Sequence, residues 1–521
     1  MTDIAGQIGQ TSAQTYPVWT VAGAVLAFVG FLGLAMMGAG GAFEYPLDDV
    51  YIHLAMAEQM AAGGYGVNAG EYASAASSPL YPVLLMPFAG SDVQRFLPLF
   101  WNVVALVASA WLLGRLFMVA ELGRAGLLLA VVAPFALFMQ NNAYSSMEHM
   151  LHTAASLAIV LGLWRFVETR HVGWLLVAGV ALAPAFRLEG LAMAMAAGGV
   201  VLLLGRPVAG LALAALATLP VIGLMVFLTS LGLEPLPNSV TAKLPATHAE
   251  NAGLLESVGS TLNRNAGQIG GRLVLALTLV TWLIALVLYA RGDKARGLIG
   301  LAVATAAFAH LAMASTGWLD RYENYLVVSL FGVLCLLVAS LTPTARWAVL
   351  GGALAGSLLT YAPKIDNNLA GLRAIHLQQA EMSRFAKDHL KAPVAVNDLG
   401  YVAWANPNYV LDLWGLASAE ALRLRLSDAP DGWADPLADR YGVRAAMIYE
   451  DWLGPALGPD WVRMGRLVLL EHHGALLGGD VVSFYARNAA EAAALQADLK
   501  DWAAGLPPGT GFAFDDWEGG T

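Results

Sequence analysis

The sequence predicts a polytopic α-helical membrane protein followed by a soluble C-terminal α/β domain. Three observations carry this. Of 521 residues, 58% are hydrophobic and only 13% charged, where soluble domains carry about 25% charged residues. Mean hydropathy is +0.61. Long apolar runs recur up to residue 362, and the acids concentrate beyond it. The net charge of −10 offers no basic surface for nucleic acid.

Residues 1–17 contain no Lys or Arg, so a cleavable signal is not expected. The run from Val18 to Ala39 is long enough to cross a bilayer, which takes about 20 residues. Further apolar runs lie near 98–118, 125–140, 149–166, 172–186, 190–205, 208–231, 272–290, 298–314, 325–341 and 346–362, so about eleven transmembrane helices are expected. Alternate connections carry Arg115 and Arg124, Arg165 and Arg170, Arg206, then Arg291, Lys294 and Arg296, then Arg346. Basic loops stay in the cytoplasm. This places the N-terminus in the cytoplasm and, with an odd helix number, the C-terminal domain outside. A multi-pass bacterial plasma-membrane protein with a periplasmic tail is the expectation.

The chain then divides into a membrane domain, 1–362, and an external α/β domain, 363–521. Two long external loops are expected, 43–95 and 232–271. Within the first, Tyr51 to Met60 has an amphipathic pattern suited to lying along the membrane surface. In the tail, Gly371 to Leu390 reads as an amphipathic helix. Strand-like runs are Val394–Asn397, Tyr409–Leu413, Ala445–Tyr449 and Val481–Ala486. The residues from Pro507 onward are Gly- and acid-rich and read as loose. The single Cys335 sits in an apolar run, which excludes a disulfide framework.

Polar clusters at the ends of apolar runs are the candidate chemistry, because ionisable groups at membrane depth are costly and usually functional. Asp48 and Asp49 follow the first run. A carboxylate in hydrogen-bond reach of a hydroxyl is a suitable base; the alternative for this pair is a helix N-cap. Glu148 and His149 can share a divalent cation, with Asp49 as a third ligand, or can simply start a helix. Arg187 can hold a phosphate in a bidentate way, or can pair with Glu189 to close a helical hairpin. Lys243 and Arg321 are further cations on the external side, and Tyr322 can line a pocket or anchor the interface. By the topology above, all these clusters share the external face.

The ordered motifs Asp48-Asp49-Val50-Tyr51-Ile52-His53, Ser77-Ser78-Pro79-Leu80-Tyr81, Ser146-Met147-Glu148-His149, Arg187-Leu188-Glu189-Gly190, Leu236-Pro237-Asn238-Ser239 with Lys243, and Arg321-Tyr322 run along most of the chain. So do Asn397-Asp398-Leu399-Gly400 and Leu411 to Leu416 in the tail. Together they resemble the GT-C superfold of membrane glycosyltransferases that use polyprenyl-phosphate sugars. Within it, the chain is most similar to the cell-wall arabinofuranosyltransferases that add terminal β-1,2-linked arabinose. Leu188 stands where that family's Arg-Pro-Glu-Gly pattern has Pro.

The resemblance implies an inverting transferase that moves a sugar, arabinofuranose in the nearest family, from a polyprenyl-phosphate donor to an external glycan or glycoconjugate. It implies a catalytic base at Asp48 or Asp49, with the first acid favoured. It implies donor contacts from His53, Arg187, Glu189, Asn238, Lys243, Arg321 and Tyr322. A divalent cation can sit at Asp49, Glu148 and His149, and no organic cofactor is expected. Two other classes also fit many apolar helices: a transporter or lipid flippase, and an assembly protein whose tail binds a partner. The first does not readily explain the acidic loop or the external tail; under the second the Asp pair would be a replaceable cap.

Overall fold

The computed structural model describes residues 15–242, 253–427, 429–471 and 477–515. Lys243 therefore lies outside the described residues. Each of the eleven apolar runs is a helix, but of two kinds. Among the described residues, seven helical stretches are long and apolar enough to cross a membrane: Tyr16–Gly38, Gln94–Ala120, His149–Thr169, Pro207–Ser230, Ile269–Ala290, Lys294–Met313 and Pro343–Leu390. Four are shorter: Gly126–Ala136, Trp174–Phe186, Gly190–Leu203 and Asn324–Val338.

The short helices have local causes. The expected run 125–140 breaks at Phe138, whose φ of 60° ends one helix before Met139–Tyr144 begins. Pro184 lies inside Trp174–Phe186, and extended backbone at Arg187 separates that helix from the next. The hairpin of two short helices packs against His149–Thr169. The approach is close because Gly162 and Gly179 lie at the crossing. A Cβ on Gly162 would sit 2.8 Å from Leu176 Cα, and one on Gly179 would sit 2.8 Å from the Ala155 carbonyl. Small residues at such crossings let helix backbones approach.

Asn324–Val338 is buried at every position and packs against the 97–120, 149–169, 269–290, 294–313 and 343–361 helices. It is the centre of the bundle. The outer helices turn apolar residues outward, as at Leu128, 72% exposed, and Val208, 81% exposed. A bundle in water could not leave such large apolar surface uncovered. These faces suit lipid.

The C-terminal domain carries a six-stranded sheet: β1 (Val394–Val396), β2 (Val410–Asp412), β3 (Ala445–Ile448), β4 (Val462–Leu469), β5 (Val481–Ala486) and β6 (Thr510–Phe514). Strand order is β2-β1-β3-β5-β4-β6. The first three strands in that order are parallel and the remaining pairings antiparallel. Four of these strands match the expected ones. β4 and β6 were not expected, and β6 corrects the reading of a loose end from Pro507. Phe512 supplies the reason, since its ring packs at 5.3 Å from Phe484 and 5.4 Å from Trp502. Strand alternation separates two cores. Val394 and Val396 join the core continuous with the helices, and Ala395 joins a smaller one with Leu411 and Ile448.

The expected surface helix is also corrected. Helix Asp49–Ala61 is buried at every residue from Val50 to Ala57. It packs on the short helix Gly400–Ala403 of the C-terminal domain, with Tyr51 and Tyr401 stacked at 4.0 Å. A helix covered this completely has no face left for a lipid surface.

Candidate functional site

A cavity of about 470 Å³ lies where the helical part meets the C-terminal domain. Asp48, Asp49, Thr316 and Tyr322 line it from one side, and Gln379, Asp398, Trp414 and Trp452 from the other. The site is best built from the acid pair outward.

Adjacent helical residues point about 100° apart, and here the two acids serve different partners. Asp48 sits at the start of helix Asp49–Ala61 but does not cap it. Its Oδ2 accepts the Gly400 N–H at 2.6 Å, and its Oδ1 accepts the Tyr401 N–H at 2.8 Å. Asp48 thus caps the helix Gly400–Ala403 from across the domain junction. Burial, and then the charge of nearby Asp398, hold the Asp48 carboxyl well above the usual carboxylate range despite these two amides. Asp398 is also raised, chiefly by burial, although it accepts from Gln379 Nε2 at 2.9 Å and the Tyr449 hydroxyl at 3.1 Å.

Asp49 instead pairs with Arg321, which donates from Nη2. Arg321 is 1% exposed, and its Nε and Nη1 have no hydrogen-bond partner among the described residues. A buried guanidinium with two idle donors is costly unless something accepts from it. The backbone leading to it is unusual. Trp318, Leu319 and Asp320 are consecutive non-glycine residues with φ of 50°, 60° and 56°, at about 1–2 kcal/mol each. They are held by the Asn141 side chain on the Leu319 carbonyl at 2.8 Å, by Glu323 on the Gly317 N–H at 2.7 Å, and by an Asp320–Lys364 ion pair. Strain that the surroundings maintain in this way clusters at functional sites.

Tyr322 joins the two arginines. The Arg321 guanidinium lies 5.0 Å and that of Arg187 5.5 Å from its ring centre. Arg187 donates to Glu148 Oε1 at 2.8 Å and to Glu189 Oε1 at 2.5 Å. Glu148 is fully buried; it accepts from Ser77 Oγ at 2.7 Å and lies 3.5 Å from His53 Nε2. The His149 ring is 5.4 Å from Tyr322. Asp49, His53, Glu148, His149, Arg187, Glu189, Arg321 and Tyr322 therefore form one connected group, drawn from four distant parts of the chain.

Asn238 stands apart from that group. Its N–H bonds Ser74 Oγ at 3.1 Å and its Nδ2 bonds the Leu416 carbonyl at 3.2 Å, so it fixes the cavity wall. The expected metal set is not assembled. Among the described residues no three His, Cys, Asp or Glu side chains are grouped so as to hold a metal ion. Asp49 faces Arg321, and Glu148 is engaged by Arg187 and Ser77, so Asp49, Glu148 and His149 do not form one coordination sphere. Asp398, Gln379, Trp414 and Trp452 line the cavity but were not foreseen as site residues. The tail motifs around Asp398 and Trp414 stand out in the sequence, but nothing there places them against Asp48.

Residues 368–485 match a family described as a domain of unknown function, DUF8728. This stretch includes the cavity wall from Gln379 to Trp452. No curated protein matches the chain.

Proposed function

We propose that this protein is an integral-membrane glycosyltransferase that moves a sugar from a polyprenyl-phosphate to an external glycan. The observation that carries the reading is Arg321: a buried guanidinium, paired on one side with a carboxylate at a cavity, with two donors left over. In the reaction, Asp49 accepts the proton of the acceptor hydroxyl. The hydroxyl oxygen attacks the anomeric carbon as the bond to the lipid phosphate breaks, and the configuration inverts. The phosphate leaves with the bonding electrons, and the idle donors of Arg321 take up its charge. Preorganised donors of this kind are often the largest catalytic term. Arg187 holds Tyr322 and Glu148 in place behind them.

The base is assigned to Asp49 and not to Asp48, because both oxygens of Asp48 already accept backbone amides. Arabinofuranose is the sugar of the resembling family and is the first donor to test. The external face is proposed for the cavity, on the reading that the connections rich in Lys and Arg are cytoplasmic. A flippase would use the same apolar helices, but it has no need of a base beside an anion site.

The test is transfer from polyprenyl-phosphoryl arabinofuranose to an arabinofuranose oligosaccharide by the purified protein. Wild type is expected to release polyprenyl phosphate and lengthen the acceptor. Asp49→Asn should lower the rate by about 10²–10⁴-fold while still binding donor. Unaltered turnover in Asp49→Asn would remove the assignment. Lipid movement across vesicles without any lengthened product would favour the flippase.

A further inference from the structure

The cavity is chemically two-sided. Towards the helices stand Asp49, Tyr322 and the guanidinium behind them. Towards the C-terminal domain stand two tryptophans, a buried amide and the Asp398 carboxylate. Trp414 and Trp452 lie with ring centres 5.0 Å apart, tilted by 40°. Trp414 is fixed from two directions: its backbone N–H donates to Asp412 Oδ1 at 2.9 Å, and the Arg425 guanidinium lies 3.8 Å from its ring centre. Trp452 is 41% exposed and packs edge-on against Tyr449 at 5.1 Å, so part of its ring is open at the cavity. Beside them Gln379 is 1% exposed. Its Nε2 donates to Asp398, but its Oε1 has no partner among the described residues.

We infer that this wall is the subsite for the acceptor sugar, with Trp452 and Trp414 as its stacking surface and Gln379 with Asp398 as its polar floor. The inference rests on the transferase reading and names the partner of the second half of that site. The ligand class follows from the groups present. Broad aromatic faces take an apolar face of similar size. A buried amide oxygen without a donor needs a hydroxyl. Carboxylates repel a phosphate but accept hydroxyls. A neutral polyhydroxyl ring with an apolar face meets all three conditions, whereas the donor's phosphate fails the third. The lipid phosphate is thereby directed to Arg321 and the acceptor to the opposite wall, with Asp49 between.

The experiment is binding, which needs no turnover. An arabinofuranose tetrasaccharide and a cellotetraose of similar length are titrated by calorimetry into full-length protein in detergent, without donor. Binding of at least one is expected. Trp452→Ala should weaken it by roughly tenfold, and Trp452→Phe, which keeps a ring against Trp414 and Tyr449, should restore most of it. Asp398→Asn should weaken acceptor binding while leaving donor binding as in wild type. The inference is overturned if neither sugar binds, or if Trp452→Ala binds as wild type does. Trp452-dependent sugar binding without transfer from any polyprenyl-phosphate sugar would keep the subsite and remove the transferase reading.

Discussion

Replacing Gly400 by alanine should uncouple the two walls of the cavity. A Cβ at this position would lie 2.1 Å from the Asp48 carbonyl oxygen and 2.8 Å from its Oδ2. Ordinary van der Waals contact begins near 3.4 Å, so the backbones must part by more than 1 Å. No flexible side chain can absorb this, because the nearest atom is main chain. The Asp48 bonds to the Gly400 and Tyr401 amides stretch with it. Each such hydrogen bond contributes about 0.5–1.5 kcal/mol, and overpacking adds about 1–3 kcal/mol. A displacement near 1 Å at a reacting site can cost about 10²-fold in rate.

Gly400→Ala is therefore expected to cut transfer roughly 10²-fold. Hydrogen exchange should rise at the 400–403 amides and along helix Asp49–Ala61, while donor binding at Arg321 persists. Gly351→Ala is the control, because a Cβ there meets nothing within 4 Å. The assays are initial rate and peptide-level hydrogen exchange on the detergent-solubilised chain. If Gly400→Ala exchanges and turns over like Gly351→Ala, the Asp48 cap does not set the geometry of the cavity.

Three further outcomes can be measured. Asp48→Asn loses one of the two amide bonds and should destabilise the junction by about 1–3 kcal/mol, with a smaller loss of rate than Asp49→Asn; equal losses would return the base assignment to the pair. Arg187→Ala strands the fully buried Glu148 and should cost about 3–5 kcal/mol, read as a lower unfolding temperature in detergent; an unchanged temperature would mean Glu148 is not held by Arg187. Burial raises Asp412 from 3.8 to about 6, although it accepts backbone amides of the 414–417 turn. A raised acid favours folding while protonated, so its contribution is full below about pH 4 and lost as pH rises through about 6. This amounts to roughly 3 kcal/mol. Asp412→Asn should flatten that part of the stability profile measured by denaturant titration, and an unchanged slope would place the titration elsewhere.

Helix positions were legible because each apolar run is a local property of the chain. All eleven runs are helices, and strands β1, β2, β3 and β5 fall where β-branched and apolar residues cluster. β6 was hidden because its stability comes from Phe512 meeting Phe484 and Trp502, a contact no local pattern contains. Helix Asp49–Ala61 was misread for the same kind of reason: its polar residues are met by distant parts of the chain, Asp49 by Arg321, His53 by Glu148 and Glu58 by the Ala405 N–H, and not by water.

The sequence by itself determined that the chain is largely apolar and helical, that its ionisable residues cluster at helix ends, and that Asp49, Arg187 and Arg321 are candidates for chemistry. Only the tertiary structure decided their partners. It gave Arg321 to Asp49 across 272 residues and the amides of Gly400 and Tyr401 to Asp48 across 352 and 353. The physical reason is that a carboxylate in either position has the same local signature. Whether it is a cap or a base depends on which donors the rest of the fold brings within hydrogen-bond reach.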